Sequence, residues 1–185
     1  MTTTRFSPLR GLLPVAIGLL LALAPLAESA IAAELVNATK DGIAIDGFDT
    51  VAYFEAGRPV KGLPQYSVKH KGATWLFASA AHRDAFAADP GKFEPQFNGW
   101  CSYAVSEGYG AEVDFVKGWA VLDQQLYLNW DEDTKNTFVA EQAKRRPAAE
   151  ENWPVVSTGI IDGSVPIYRH ETEGVDIVHP QQVLQ

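Results

Sequence analysis

Two side chains in this sequence have the clearest capacity for chemistry, Cys101 and His82. Cys101 is the only thiol in 185 residues and lies among Phe97, Trp100, Tyr103 and Tyr109. Three readings of it stand open. It can be a buried small hydrophobe, a soft metal ligand or a redox-active thiol, and residue types alone do not separate them. His82 follows Ser79, a suitable helix cap, by three positions and so belongs to a first helical turn. There the positive end of the helix dipole favours the neutral, metal-binding ring over imidazolium. The plainer reading is a solvated or hydrogen-bonding histidine. His70, at a hairpin end, reads as a surface residue. His170 and His179, near Glu171, Glu173 and Asp176, offer at most an adventitious site. Asp46 and Asp49 flank Gly47-Phe48 in a pattern that suits carboxylates bonding nearby backbone N–H groups. No Gly-x-Ser-x-Gly, phosphate-binding glycine loop or His-Glu-x-x-His occurs, so the sequence points to binding and not to an enzyme.

The elements that must hold these residues follow from local signals. Ile43 to Gly47 and Val51 to Phe54 read as two short extended segments around a turn. Tyr66 to His70 and Ala73 to Phe77 predict a hairpin about Lys71-Gly72, with Trp75 and Phe77 on one face as core anchors. Ser79 starts a helix over residues 80–88, which Asp89-Pro90 stops. Trp100 to Val105 predicts a short helix, and residues 119–122 and 126–128 a second hairpin. A helix of about sixteen residues begins near Asp131, with acids in its first turn and Lys144, Arg145 and Arg146 in its last. From Trp153-Pro154 onward, β-branched runs broken by Gly and Pro predict an extended, peripheral tail, able to add a strand to the domain or to a partner, that the domain does not need in order to fold.

Composition narrows the class further. Hydrophobic residues make up 46% and charged residues 21%, values that suit a globular core. A net charge of −8 argues against nucleic acid as a partner. One cysteine excludes an internal disulfide and a four-thiolate zinc cluster. Arg5 and Arg10 precede an apolar run from Gly11 to Ala27, followed by the small-residue pattern Ala30-Ile31-Ala32, which is the form of a secretory signal peptide. The run carries Pro14, Gly18 and Pro25 and falls short of the roughly 20 clean apolar residues of a membrane span. Cleavage after Ala32 is favoured over Ser29. It removes Arg5, Arg10 and Glu28 from totals of 15 basic and 23 acidic residues, leaving a net charge of −9 and no stable membrane span. The expected localisation is periplasmic or secreted, where an unpaired cysteine calls for an explanation.

Several runs taken together resemble the YHS-domain family of bacterial secreted type. They are Ile45 to Phe54, Tyr66-Ser67-Val68, Gly72 to Phe77, Phe86 to Asp89-Pro90, Phe93, Pro95, Gly99-Trp100-Cys101 and the later 119–128 hairpin. The resemblance spans roughly residues 41–154. It implies a small α+β module, related to TRASH domains, in which a hairpin leads into a helix and which binds copper or other heavy metals. The family's metal-binding form reads Phe-Cys-Ser-x-x-Cys-x-x-x-Phe across that junction. Here the matching stretch runs from Phe77 to Phe86, with Ala78 and His82 at the cysteine positions and Ala52 where an earlier cysteine would stand. Two thiolates are lost and one is replaced by an imidazole.

These readings combine into an α+β YHS/TRASH-like domain with two β-hairpins and two or three helices. Residues 1–32 are the signal peptide, 33–153 the domain and 154–185 an extended tail. The expected function is binding of a copper-like ion, Cu(I) or zinc, by Cys101 and His82 as an accessible, exchangeable pair. The rival is a metal-free interaction module contacting a protein or small ligand through the tail or the Trp100 to Tyr109 surface. A thiol-dependent enzyme using Cys101 is the third. Mass spectrometry of the exported product is expected to show a chain beginning at residue 33; an intact Arg5 to Leu26 segment would refute the export reading.

Overall fold

Short capping and turn signals set most of the element order, and the core is assembled from the aromatic residues between them. The structure is a computed structural model that describes residues 1–2 and 35–170. Apart from its first two residues, the expected signal peptide lies outside them, as do residues 171–185. Among the described residues the fold is α+β, with six α-helices and three separate two-stranded sheets. No helix among them is long and apolar enough to cross a membrane.

After a 3-10 turn at Ile45–Gly47, Asp49 caps helix α1 (Thr50–Glu55), whose Val51, Ala52 and Tyr53 are buried. This corrects the expectation of two extended segments. The β-branched and aromatic alternation in Val51-Ala52-Tyr53-Phe54 mimics a strand, but the Asp49 side chain captures the Val51 and Ala52 N–H groups and starts a helix instead. Strands β1 (Leu63–His70) and β2 (Ala73–Phe77) form the first hairpin, with His70 opposite Ala73 and Val68 opposite Trp75. Helix α2 (Ala80–Ala88) begins at Ser79 as expected, and α3 (Pro90–Phe93) follows from an Asp89 cap. Phe86 of α2 lies 5.0 Å from both the Trp75 and Phe77 rings, so the hairpin and helix share one aromatic cluster. His70 joins it edge-on to Phe86 at 5.6 Å, while its Nε2 meets a Glu94 carboxylate oxygen at 2.9 Å. It keeps the expected hairpin-end position, with its side chain 26% exposed, and is packed and paired there as well.

A second 3-10 turn at Gln96–Gly99 leads to helix α4 (Ser102–Ser106) and the two-residue strand β3 (Gly110–Ala111). Strands β4 (Trp119–Leu122) and β5 (Gln125–Leu128) form the second expected hairpin, with Leu122 opposite Gln125. Beyond it the single helix of about sixteen residues is in fact two. Helix α5 (Glu132–Ala140) starts at the Asp131 cap, and α6 (Gln142–Asp162) runs 21 residues through Pro147 and Pro154 to a left-handed Gly163.

Helix α6 overturns the expectation that the chain is extended from residue 154. Its buried residues Arg145, Ala149, Val156 and Gly159, with half-buried Asn152 between them, form one stripe at helical spacing. The two prolines are seven residues apart, nearly two full turns, and both are exposed. The carbonyls their missing N–H groups leave free can then bond water, which removes much of the usual cost of a proline inside a helix. Beyond Gly163, strand β6 (Ile167–Tyr168) pairs in parallel with β3, so the tail does form a strand against the domain, over two residues only. Because Val156 is fully buried and α6 packs on α4, a chain ended at Pro154 is expected to lose cooperative unfolding. Thermal circular dichroism checks this; an unchanged sharp transition would return residues 155–170 to a peripheral role.

Candidate functional site

Asp49 is the residue from which the candidate site is built. It is fully buried at 0% exposure, and its carboxylate accepts four hydrogen bonds. Oδ1 takes the N–H groups of Val51 at 3.0 Å and Ala52 at 3.3 Å, which caps α1. Oδ2 takes the Ala78 N–H at 2.8 Å and His82 Nδ1 at 2.6 Å. One carboxylate thus joins the start of α1 to the junction between β2 and α2. Desolvation of a carboxylate is tolerable when donors surround it in this way.

His82 reaches that carboxylate because of its place on the helix. Ser79 Oγ accepts the His82 N–H at 3.1 Å, fixing the first turn and the direction of the imidazole. With Nδ1 donating to Asp49, the neutral ring carries its lone pair on Nε2. That nitrogen lies 3.5 Å from Glu55 Oε2, on the last residue of α1. The His82 side chain is 21% exposed and that of Glu55 56%, so the pair opens to solvent. Two metal bonds of about 2.0–2.2 Å meeting at a tetrahedral angle hold their donors about 3.4 Å apart, a separation the Nε2–Oε2 pair already has. An Asp–His pair of this form is also the usual support for a metal-bound imidazole, the carboxylate fixing the tautomer and raising ligand basicity.

Cys101 occupies a different environment. At 1% exposure it is the cap of α4, its Sγ accepting the Ala104 N–H at 3.5 Å while its own N–H bonds the Ala111 carbonyl at 3.0 Å. Burial pushes the thiol up to about 11, against the lowering effect of backbone N–H groups of Ala104, Trp130 and Tyr103. Such a thiol stays protonated at neutral pH, whereas a metal ligand or nucleophile must be the thiolate. The partners of His82 are Asp49, Ser79 and Glu55; those of Cys101 come from α4, β3 and the β5–α5 junction. Among the described residues, none of these partners of His82 is also one of Cys101. Among the described residues, no group of three or more His, Cys, Asp or Glu side chains is placed to hold a metal ion. His170 stacks on Trp130 with ring centroids 3.8 Å apart, and His179 lies outside the described residues.

The chain matches no protein-family model, no curated protein and no solved structure. What can be said of the site therefore rests on its own geometry. Glu55 escaped sequence reasoning because only the end of α1, an element the sequence presents as a strand, brings it to His82. Asp49 was legible as a carboxylate bonding local N–H groups, but its reach to residue 82 was not. Replacing Asp49 with Ala is expected to cost about 3 kcal/mol, the sum of a lost helix cap and a lost charge-assisted bond. Urea denaturation measures it; a change below about 0.5 kcal/mol would remove Asp49 from its central place.

Proposed function

We propose that this chain is an exported binding module of YHS-like build whose ligand is a divalent transition-metal ion held at His82 Nε2. Glu55 supplies a second donor, Asp49 orients the ring, and water completes the shell. One observation carries this reading: the 2.6 Å bond from His82 Nδ1 to a fully buried carboxylate, which leaves Nε2 beside Glu55 at the surface. Nitrogen and oxygen donors suit Zn(II) or Cu(II), whereas Cu(I) prefers sulfur. Cu(I) binding by Cys101 with His82 is the competing metal reading, and burial of the thiol weighs against it. With only two protein donors, the bound ion would be accessible and exchangeable.

The metal-free interaction module keeps one observation in its favour. Both ring nitrogens of His82 already face carboxylates, which is enough for a purely structural histidine. Titration calorimetry with Zn(II) and Cu(II), and competition against a Cu(I) chelator, separates the readings. The expected result is binding of a divalent ion that His82→Ala abolishes, that Glu55→Gln weakens, that Asp49→Asn weakens about 10–100-fold and that Cys101→Ser leaves unchanged. No saturable ion binding by the unmodified chain would favour the metal-free module, equal affinity in His82→Ala would overturn the His82 site, and loss of Cu(I) binding in Cys101→Ser would restore the Cys/His pair.

A further inference from the structure

We propose that residues 163–170 form a hinged strap over the pocket of Cys101, latched by Glu112, and that opening of this strap alone decides whether the thiol can react. Three contacts of Cys101 lie beneath it. The Cys101 N–H bonds the Ala111 carbonyl, and Ala111 pairs with Tyr168 of the strap. Tyr109, close enough to the thiol for a thiolate to oppose its ionisation, carries Tyr168 edge-on at 5.2 Å. Trp130, whose backbone N–H points to the sulfur, carries the His170 ring stacked at 3.8 Å.

Beside the packing of Val165, Ile167 and Tyr168 on the core, the polar contacts of the strap centre on one residue. The Glu112 N–H donates to the Tyr168 carbonyl at 2.9 Å, its Oε1 pairs with Arg169 Nη1 at 2.9 Å, and its Oε2 accepts the His170 N–H at 2.8 Å. Elsewhere the β3–β6 ladder has two residue pairs, flanked by one bond from the Gly110 N–H to the Pro166 carbonyl. At the base, Gly163 has φ +77° with open space around it, a conformation suited to a hinge. Beside it Val165 packs where a Cβ on Gly159 would stand. The latch is reachable, since Glu112 and His170 line an open cleft with Asp46 and Phe115.

The closed state also carries a penalty that opening relieves. The Tyr109 hydroxyl, on a residue only 4% exposed, and His170 Nε2 are buried without a hydrogen-bond partner among the described residues. Each would gain water when the strap lifts, whereas the aromatic cluster around Trp75 and Phe86 would be untouched. Strap opening is thus separable from unfolding, and Cys101 reports it.

The test is the rate of iodoacetamide alkylation of Cys101 in the full chain at low urea concentrations, with Cys101→Ser as the blank. In the unmodified chain the rate is expected to depend on urea far less steeply than global unfolding does, which is the mark of local opening. Glu112→Ala, which removes the latch, and Gly159→Ala, which displaces Val165 while keeping α6, are each expected to raise the rate at least about tenfold with the thermal transition retained. Alkylation that follows the urea dependence of global unfolding would overturn the strap, as would folded variants that react no faster than the original chain. The measurement on the unmodified chain decides the matter even where a variant fails to fold.

Discussion

The buried carboxylate of Asp49 is the constraint on which the first half of the fold depends. A charge at zero exposure persists only if donors replace the water it has lost, and four of them do so here. Those donors come from two places distant in sequence, the first turn of α1 and the β2–α2 junction. Satisfying the charge therefore fixes the position of one helix start against the other. The same requirement turns the His82 ring, so that the feature that stabilises the fold also defines what the chain presents to solvent.

The second half is organised by a different buried charge. Arg145, in the first turn of α6, pairs with Glu107 and Glu141 at 2.7 Å each and lies over the Tyr103 ring at 3.8 Å. Breaking such a pair strands a charge, which costs far more than the pair contributes as a net gain. Its value lies in specification: α6 must sit where its guanidinium meets the C-terminal end of α4. With Asn152 donating to the Val105 and Ser106 carbonyls at 3.1 Å, a side chain of α6 adds to the backbone N–H groups of Glu107, Gly108 and Tyr109 that close the end of α4.

What the sequence disclosed, and what it concealed, follows the reach of the interactions. Ser79 and its helix, the Lys71-Gly72 hairpin and the second hairpin were legible because their determining contacts lie within a few residues. Helix α1 was not, because its alternating pattern suits a strand and two of the four donors that keep Asp49 buried come from residues 78 and 82. Helix α6 was hidden by Pro154 and the β-branched residues after it; the evidence for it is the stripe 145, 149, 152, 156 and 159, whose partners on α4 are known only once the chain has folded. The parallel pair β3–β6 joins residues 57 apart through two positions, too short a match for any local pattern. At the site, His82 was legible from its cap, while Glu55 depended on the helix that was concealed.

Cys101 shows why residue type is a weak guide to chemistry. A sulfur at a helix cap accepts a long, weak bond, and a serine would make a better cap. The position is nonetheless sealed among Tyr109, Trp130 and the β3 backbone, where a hydroxyl would bring a donor in need of a partner and a thiol brings almost none. The apolar character of sulfur, more than its nucleophilicity, fits this pocket in its closed state. The two proposals thereby keep metal and thiol chemistry apart, the first open to solvent at the end of α1, the second beneath a strap from the far end of the described sequence. Two protein donors at His82 and Glu55 leave the rest of a coordination shell to water or to groups from another molecule, so an ion bound there would be exchanged far more readily than one enclosed by four protein ligands.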